Sequence, residues 1–294
     1  ANENVAVGKQ SLNDNTSGNS NVAIGSFALS KNTTAGGHTA VGYDALKNTT
    51  GAQNTGFGNN ALCTNTSGQC NTALGRNALT ANTSASYNTA VGHTSMSSNT
   101  TGHSNVALGQ HSLACNTEGD ANVAIGYEAL LNNTTANENV AVGCKAMRAN
   151  TTGTQNVALG GISMFANTTG NYNVAIGYQS LCSQTNGGNN NVAVGNQALS
   201  ANTTGDDNIA IGKESLCANT TAGKNTAMGG EALRKTTTGG NNSATGYLAL
   251  ACNTTGGSNT ALGSCVLRCN TTASDNTAVG KSALGANTTG SCNT

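Results

Sequence analysis

The chain has no proline and no tryptophan, and aromatic residues make up 3% of it. Without proline, no φ is locked and no backbone N–H is missing, so nothing in the sequence interrupts a long hydrogen-bond ladder. Charge is scarce as well. Charged residues are 8%, twelve basic against twelve acidic, for a formal net charge of zero. That is well below the roughly one quarter of ordinary chains. It leaves no basic surface to neutralise phosphates, which argues against a nucleic-acid partner. No apolar run approaches the roughly 20 residues of a membrane-spanning helix.

What the sequence does contain is one motif many times over. Asn-Val-Ala-Ile-Gly stands whole at Asn21–Gly25, Asn122–Gly126 and Asn173–Gly177, and varied copies bring the total to seventeen. The closing glycine recurs every 17 residues, from Gly8 and Gly25 to Gly263 and Gly280. Two steps differ, one of 16 (Gly42 to Gly58) and one of 18 (Gly177 to Gly195). A fixed period of this length indicates a stacked array in which each repeat is one structural unit. The array fills residues 1–294 as a single continuous domain. It begins and stops in mid-repeat, at Ala1-Asn2-Glu3-Asn4 and Cys292-Asn293-Thr294, with no signal-peptide pattern. We therefore expect an internal piece of a longer fibre.

Comparing the copies column by column separates core from surface. The residue before the glycine is apolar in every copy except Thr245, and two residues earlier stands a β-branched residue such as Val22, Thr39 or Ile209, with Ser243 the one departure. These two positions share a strand face, because side chains alternate with period two. Between them stands Ala, replaced only by Gly56. Four residues after the glycine comes Leu, or Met at Met96, Met147 and Met164. Val or Ile facing Leu would give each coil a two-sided apolar interior, with about 2 kcal/mol per buried Leu. The Ala column would then face outward against a close neighbour that admits no more than a methyl group. Ala23, Ala124 and Ala175 are the candidate interchain packing residues.

The invariant glycine implies a positive φ or a backbone approach that a Cβ would block. Asn-Thr-Thr-Gly is turn chemistry, and the second Asn column, broken only by His38, predicts an amide ladder along the axis. The charges fall in the variable columns, which are the solvent-facing ones. Two short strands and two turn regions per coil make an all-β fold, a β-solenoid (parallel β-roll) of about 17 coils. Stacked at about 4.8 Å, these coils would make a rod roughly 80 Å long.

The run Asn-Val-Ala-Ile-Gly-x-x-Ala/Ser resembles the head repeat of trimeric autotransporter adhesins, in which the repeat is shorter. The Ala-Leu and Asn-Thr-Thr-Gly elements are similar to repeats in the shafts of phage tail fibres and other viral fibres. The resemblance covers all seventeen copies and implies a left-handed roll packed as a homotrimer. The small Ala column agrees independently with side-by-side packing of chains.

Little in the sequence suggests chemistry. His38, His93, His103 and His111 occupy four different columns and share no spacing with Asp, Glu or Cys. We therefore expect no enzyme, no metal and no cofactor. Of the ten cysteines, only Cys252 and Cys269 fall on adjacent coils in one column, at a Cα separation inside the disulfide window of about 4.4–6.8 Å. They are the one candidate bridge. Fourteen turns read as N-glycosylation signals: Asn15, Asn32, Asn48, Asn65, Asn82, Asn99, Asn133, Asn150, Asn167, Asn202, Asn219, Asn253, Asn270 and Asn287.

The leading functional expectation is an extracellular shaft on a virion or cell surface, which partners copies of itself and holds a tip toward a surface receptor or glycan. Ice binding is a second expectation. It rests on Thr columns and on Asn-x-Val-x-Gly repeats that resemble those of a grass ice-binding β-roll. A third is a filament subunit that joins end to end through open coil edges.

Overall fold

The computed structural model describes residues 2–294. The chain divides into two compact units, Ala1–Thr152 and Gly153–Thr294. Each is a parallel β-solenoid built on the 17-residue repeat. Seventeen three-residue strands run from β1 (Val5–Val7) to β17 (Thr277–Val279), with no helix among the described residues. The first nine strands lie in the first unit, up to β9 (Val140–Val142), and the remaining eight, from β10 (Val157–Leu159), in the second.

Pairing within each unit is parallel and strictly in register. β2 (Val22–Ile24) meets β3 (Thr39–Val41) as Val22↔Thr39, Ala23↔Ala40 and Ile24↔Val41. The odd steps leave this register untouched. Thr39 still pairs with Thr55 across the 16-residue step, and Val174 with Val192 across the 18-residue step. Both length changes are absorbed in the turns.

The period-two alternation of the strand is as expected, but its faces are reversed. Ala23, Ala124 and Ala175 are wholly buried within their own chain. Residues of the two flanking columns, such as Val5, Val7, Ile24, Leu74 and Leu108, are 40–56% exposed. The interchain packing role expected of the Ala column is therefore corrected. What lies against each Ala is the opposite wall of its own coil. At Gly56, the one departure, a built Cβ would stand 3.1 Å from Cγ of Leu46. The coil is so thin that Ala on one wall and Leu on the other fill it.

The second strand expected around Ala-Leu is absent. Overlapping turns take its place: Ala28 N–H donates to Gly25 O at 3.3 Å, and Ser30 N–H to Phe27 O at 3.2 Å. The third residue of each has a positive φ, 62° at Phe27 and 52° at Leu29, as in type II turns. The Leu and Met column repeats this left-handed conformation in every coil. It costs a bulky residue about 1–2 kcal/mol, offset by the roughly 1.5–3 kcal/mol gained by burying the side chain. The closing glycine fulfils both readings made of it. Gly109 has φ +129°, and a Cβ there would stand 2.7 Å from Gly126 O.

The rest of the interior is polar. In the expected ladder, Asn88 N–H donates to Oδ1 of Asn71 at 2.9 Å, and Nδ2 of Asn88 donates to Gly102 O at 2.9 Å. The Asn of Asn-Thr-Thr forms a second ladder, with Nδ2 of Asn116 donating to Oδ1 of Asn99 at 2.8 Å and to Gly119 O at 2.9 Å. Serines that replace the Ala before Leu, such as Ser112, donate to the carbonyl three residues back, here Gly109 O at 2.9 Å. Most buried polar groups are satisfied in this way.

Candidate functional surface

The feature that needs explaining is the outer face of the strands. In the first unit its two columns include Val5, Val7, Ile24, Phe57, Leu74, Val106 and Leu108, all between 37% and 56% exposed. In the second they include Ile176, Ile209, Ile211, Met228, Leu262 and Val279, between 37% and 64% exposed. In-register stacking makes the column before the glycine a continuous apolar stripe, broken only at Thr245, while the column two residues earlier mixes Val and Ile with Thr and Ser243. Two columns about 7 Å apart, with rungs every 4.8 Å, cover roughly 300 Å² over the nine strands of the first unit. With its Thr rungs included, that is about the size of the largest apolar patch on an ordinary monomer, which is often a functional one. A run of hydroxyls lies within one column, at Thr39, Thr55, Thr72 and Thr89.

The other predicted site residues fare differently. Cys252 and Cys269 are both free thiols, as are the remaining eight cysteines. This corrects the candidate bridge. Translational stacking keeps the Cβ atoms of one column as far apart as the Cα atoms, near 4.8 Å, whereas a disulfide draws them to about 3.8 Å. Burial pushes the Cys63 and Cys217 thiols up, away from the low values of reactive cysteines.

The glycosylation signals are corrected for most of the chain. Asn32, Asn65, Asn82, Asn99, Asn133, Asn150, Asn167, Asn202, Asn219, Asn253 and Asn270 are fully buried. Nδ2, the atom that would carry a sugar, is a rung of the ladder, as where Asn82 donates to Asn65 Oδ1 at 2.7 Å. Asn15 and Asn287, in the first and last coils, are half-buried, and Asn48 is exposed. Asn48 escapes because the 16-residue coil shifts the register. Thr49 occupies the ladder site, where it accepts from Nδ2 of Asn65 at 2.9 Å, and Asn48 turns outward. In the 18-residue coil Gln184 takes the same site and donates to Asn167 Oδ1 at 3.1 Å.

The histidines do not converge. His93 and His111 meet edge to face at 5.7 Å between ring centres, and His103 is exposed. Among the described residues no three His, Cys, Asp or Glu side chains gather where a metal could bind. His38 is a rung of the first ladder, the one that includes Asn71 and Asn88, and its own N–H donates to Oδ1 of Asn21 at 3.0 Å. Its Nδ1 accepts the N–H of Asn54 at 3.1 Å, so Nε2 carries the ring proton, and Nε2 is buried without a partner. Burial pushes this imidazole down to about 4. Tyr43, Tyr127, Tyr178 and Tyr247 project from the column after the glycine, each 43–55% exposed.

Sequence reasoning grouped the stripe residues correctly but assigned them to the interior. The signal that could have placed them is Phe57 opposite Gly56. A coil whose interior admits no more than a methyl group beside Leu46 has no room for a phenyl ring. Comparison with protein-family models and with curated proteins finds no match to this chain.

Proposed function

We propose that the chain is a segment of a structural and adhesive extracellular fibre, a shaft of left-handed solenoid that packs as a homotrimer and holds a receptor-binding element away from a virion or cell surface. The observation that carries this reading is the exposed stripe of Val, Ile, Leu, Met and Phe that precedes the glycines on the strand face, beside a column of Val, Ile and Thr. A solvated sheet face ordinarily carries polar residues, and the neighbouring columns here do. A surface that carries an uncharged, largely apolar stripe in both units, with charge confined to other columns, is suited to burial against an identical surface. Ile24 and Leu108 thus take over the contact role that the Ala column was expected to play.

The test is the state of association. Sedimentation equilibrium of the chain at micromolar concentration should give three times the monomer mass. Leu74→Lys with Leu108→Lys should yield monomers with an unchanged circular dichroism spectrum, since both side chains point away from the coil. A wild-type chain that stays monomeric up to tens of micromolar would overturn the proposal.

The hydroxyl run at Thr39, Thr55, Thr72 and Thr89 favours ice binding as a second reading, because regular hydroxyls on a flat face can order water. Thermal hysteresis of the wild-type chain, lost in Thr55→Lys with Thr72→Lys, would support it over the fibre.

A further inference from the structure

A pocket of about 200 Å³ opens in the first unit between Gln10, Asn13, Phe27, Ser30, Lys31 and Lys47. None of these residues belongs to the strand face, so the pocket does not depend on the chain assembling as a fibre. It arises from one short side chain. Ser30 stands in a column between Asn13 and Lys47, and the longer neighbours rise on either side of it. Ser30 is 4% exposed, and its hydroxyl has no hydrogen-bond partner. A buried, unused hydroxyl is destabilising. Here it faces a cavity in which a ligand could satisfy it.

The walls supply two further kinds of contact. Phe27 is half-buried and presents its ring to the cavity, with Tyr43 edge-on at 6.0 Å between centres. Ammonium groups surround that ring, Lys47 Nζ at 5.3 Å and Lys9 Nζ at 5.8 Å from its centroid. Lys31 pairs with Asp14 at 3.0 Å and Lys47 with Asp44 at 3.2 Å. Both lining ammoniums are therefore paired, and the one unmatched positive charge is that of Lys9, which has no ion pair among the described residues and stands over the Phe27 ring at the rim, outside the six lining residues.

We propose that this pocket binds an acidic sugar residue, a pyranose bearing a carboxylate. The C–H face of the pyranose covers the Phe27 ring, its carboxylate meets the lysine ammoniums, and its hydroxyls reach Ser30 Oγ and the Asn13 and Gln10 amides. Each wall then has a use. A bare anion would leave the ring and the serine idle, and a neutral sugar would leave the charge unmatched. The volume, below the roughly 300–1,000 Å³ of drug-sized pockets, suits a single ring.

The repeat itself supplies substitutions that the coil is known to accommodate. Leu131 occupies the place equivalent to Ser30, Gln179 that of Phe27, and Ser97 that of Lys47. Saturation-transfer NMR with glucuronate, glucose and acetate as probes tests the proposal. Glucuronate ring protons should be saturated by the wild-type chain, with glucose and acetate each at least tenfold weaker. Ser30→Leu, which fills the pocket, and Phe27→Gln should each weaken glucuronate at least tenfold. Lys47→Ser should bring glucuronate close to glucose. No glucuronate signal at millimolar concentration, acetate binding as well as glucuronate, or unchanged binding in Ser30→Leu with its fold intact would overturn the proposal.

Discussion

Asn32 presents its side-chain oxygen to Thr49 one coil away and receives nothing from it. At the next level Asn65 donates to Thr49, whose hydroxyl is turned to Gly51 O at 3.2 Å, and Oδ1 of Asn32 is left buried without a partner. Asn219 is stranded in the same way beneath Thr236. Wherever threonine replaces asparagine in this ladder, the rung below loses its donor. Thr236→Asn, in a coil of ordinary length, should restore it. The expected gain is about 1–2 kcal/mol, read as a higher urea midpoint. Thr49→Asn should gain less, because the shortened turn does not offer the usual carbonyl three residues on.

His38 predicts a pH dependence. Its imidazole lies at about 4 in the fold against an ordinary 6.5, so the unfolded chain binds the proton more tightly. Its contribution to stability therefore falls as pH drops from 6.5 toward 4, by about 3 kcal/mol in total. His38→Asn should flatten that part of the stability profile. It should also raise stability at neutral pH, since Nδ2 of an asparagine can donate where Nε2 of His38 does not. Urea midpoints at pH 7.5 and pH 4.5 for both chains provide the check.

Glycine should be indispensable in one column and replaceable in the next. Gly109→Ala places a β-carbon 2.7 Å from Gly126 O in a conformation closed to L-residues. It should cost more than about 2 kcal/mol. Gly230→Ala, whose β-carbon meets only the Tyr247 ring at 3.5 Å, should lie within about 0.5 kcal/mol of wild type. Thermal melts of the two variants would separate these expectations.

Burial also predicts which asparagine can carry a glycan in the folded chain. Expression in a glycosylating host should give secreted protein modified at Asn48, with Asn65, Asn82 and Asn99 bare. Peptide mapping by mass spectrometry reads this directly. In the same maps Cys252 and Cys269 should take up alkylating reagent without prior reduction.

Much of the fold is legible in the sequence because stacking reduces structure to arithmetic. The period fixes which residues lie above one another, and Asn at one phase in nearly every copy can hardly do other than form a ladder. The glycine reading is as direct. The sequence does not reveal which strand face is inside, because Val-Ala-Ile satisfies alternation either way and apolarity alone points to the wrong side. Nor does it reveal the left-handed turns. Leu29 and Phe27 adopt them without the glycine or asparagine that usually signals them, held by the coils above and below. The register of the odd coils was equally hidden. Asn48-Thr49-Thr50 looks like every other turn, and only the requirement to keep Thr39 beside Thr55 moves Thr49 onto the ladder. The pocket at Phe27 depends on neighbours in three coils, which inspection of single columns does not bring together.

The in-register pairing of Val22 with Thr39 also bears on how the chain reaches its native state. Within each unit nearly every bond between coils closes a loop of 16 to 18 residues. The entropy of closing such a loop grows only with the logarithm of its length, to about 2.5 kcal/mol here. It is the same at every step. Folding should therefore proceed as growth does in a crystal, with a slow first pair of coils and then rapid addition at a self-renewing edge. The rate-limiting event would lie in forming that first pair, and a longer array would fold no more slowly than a short one.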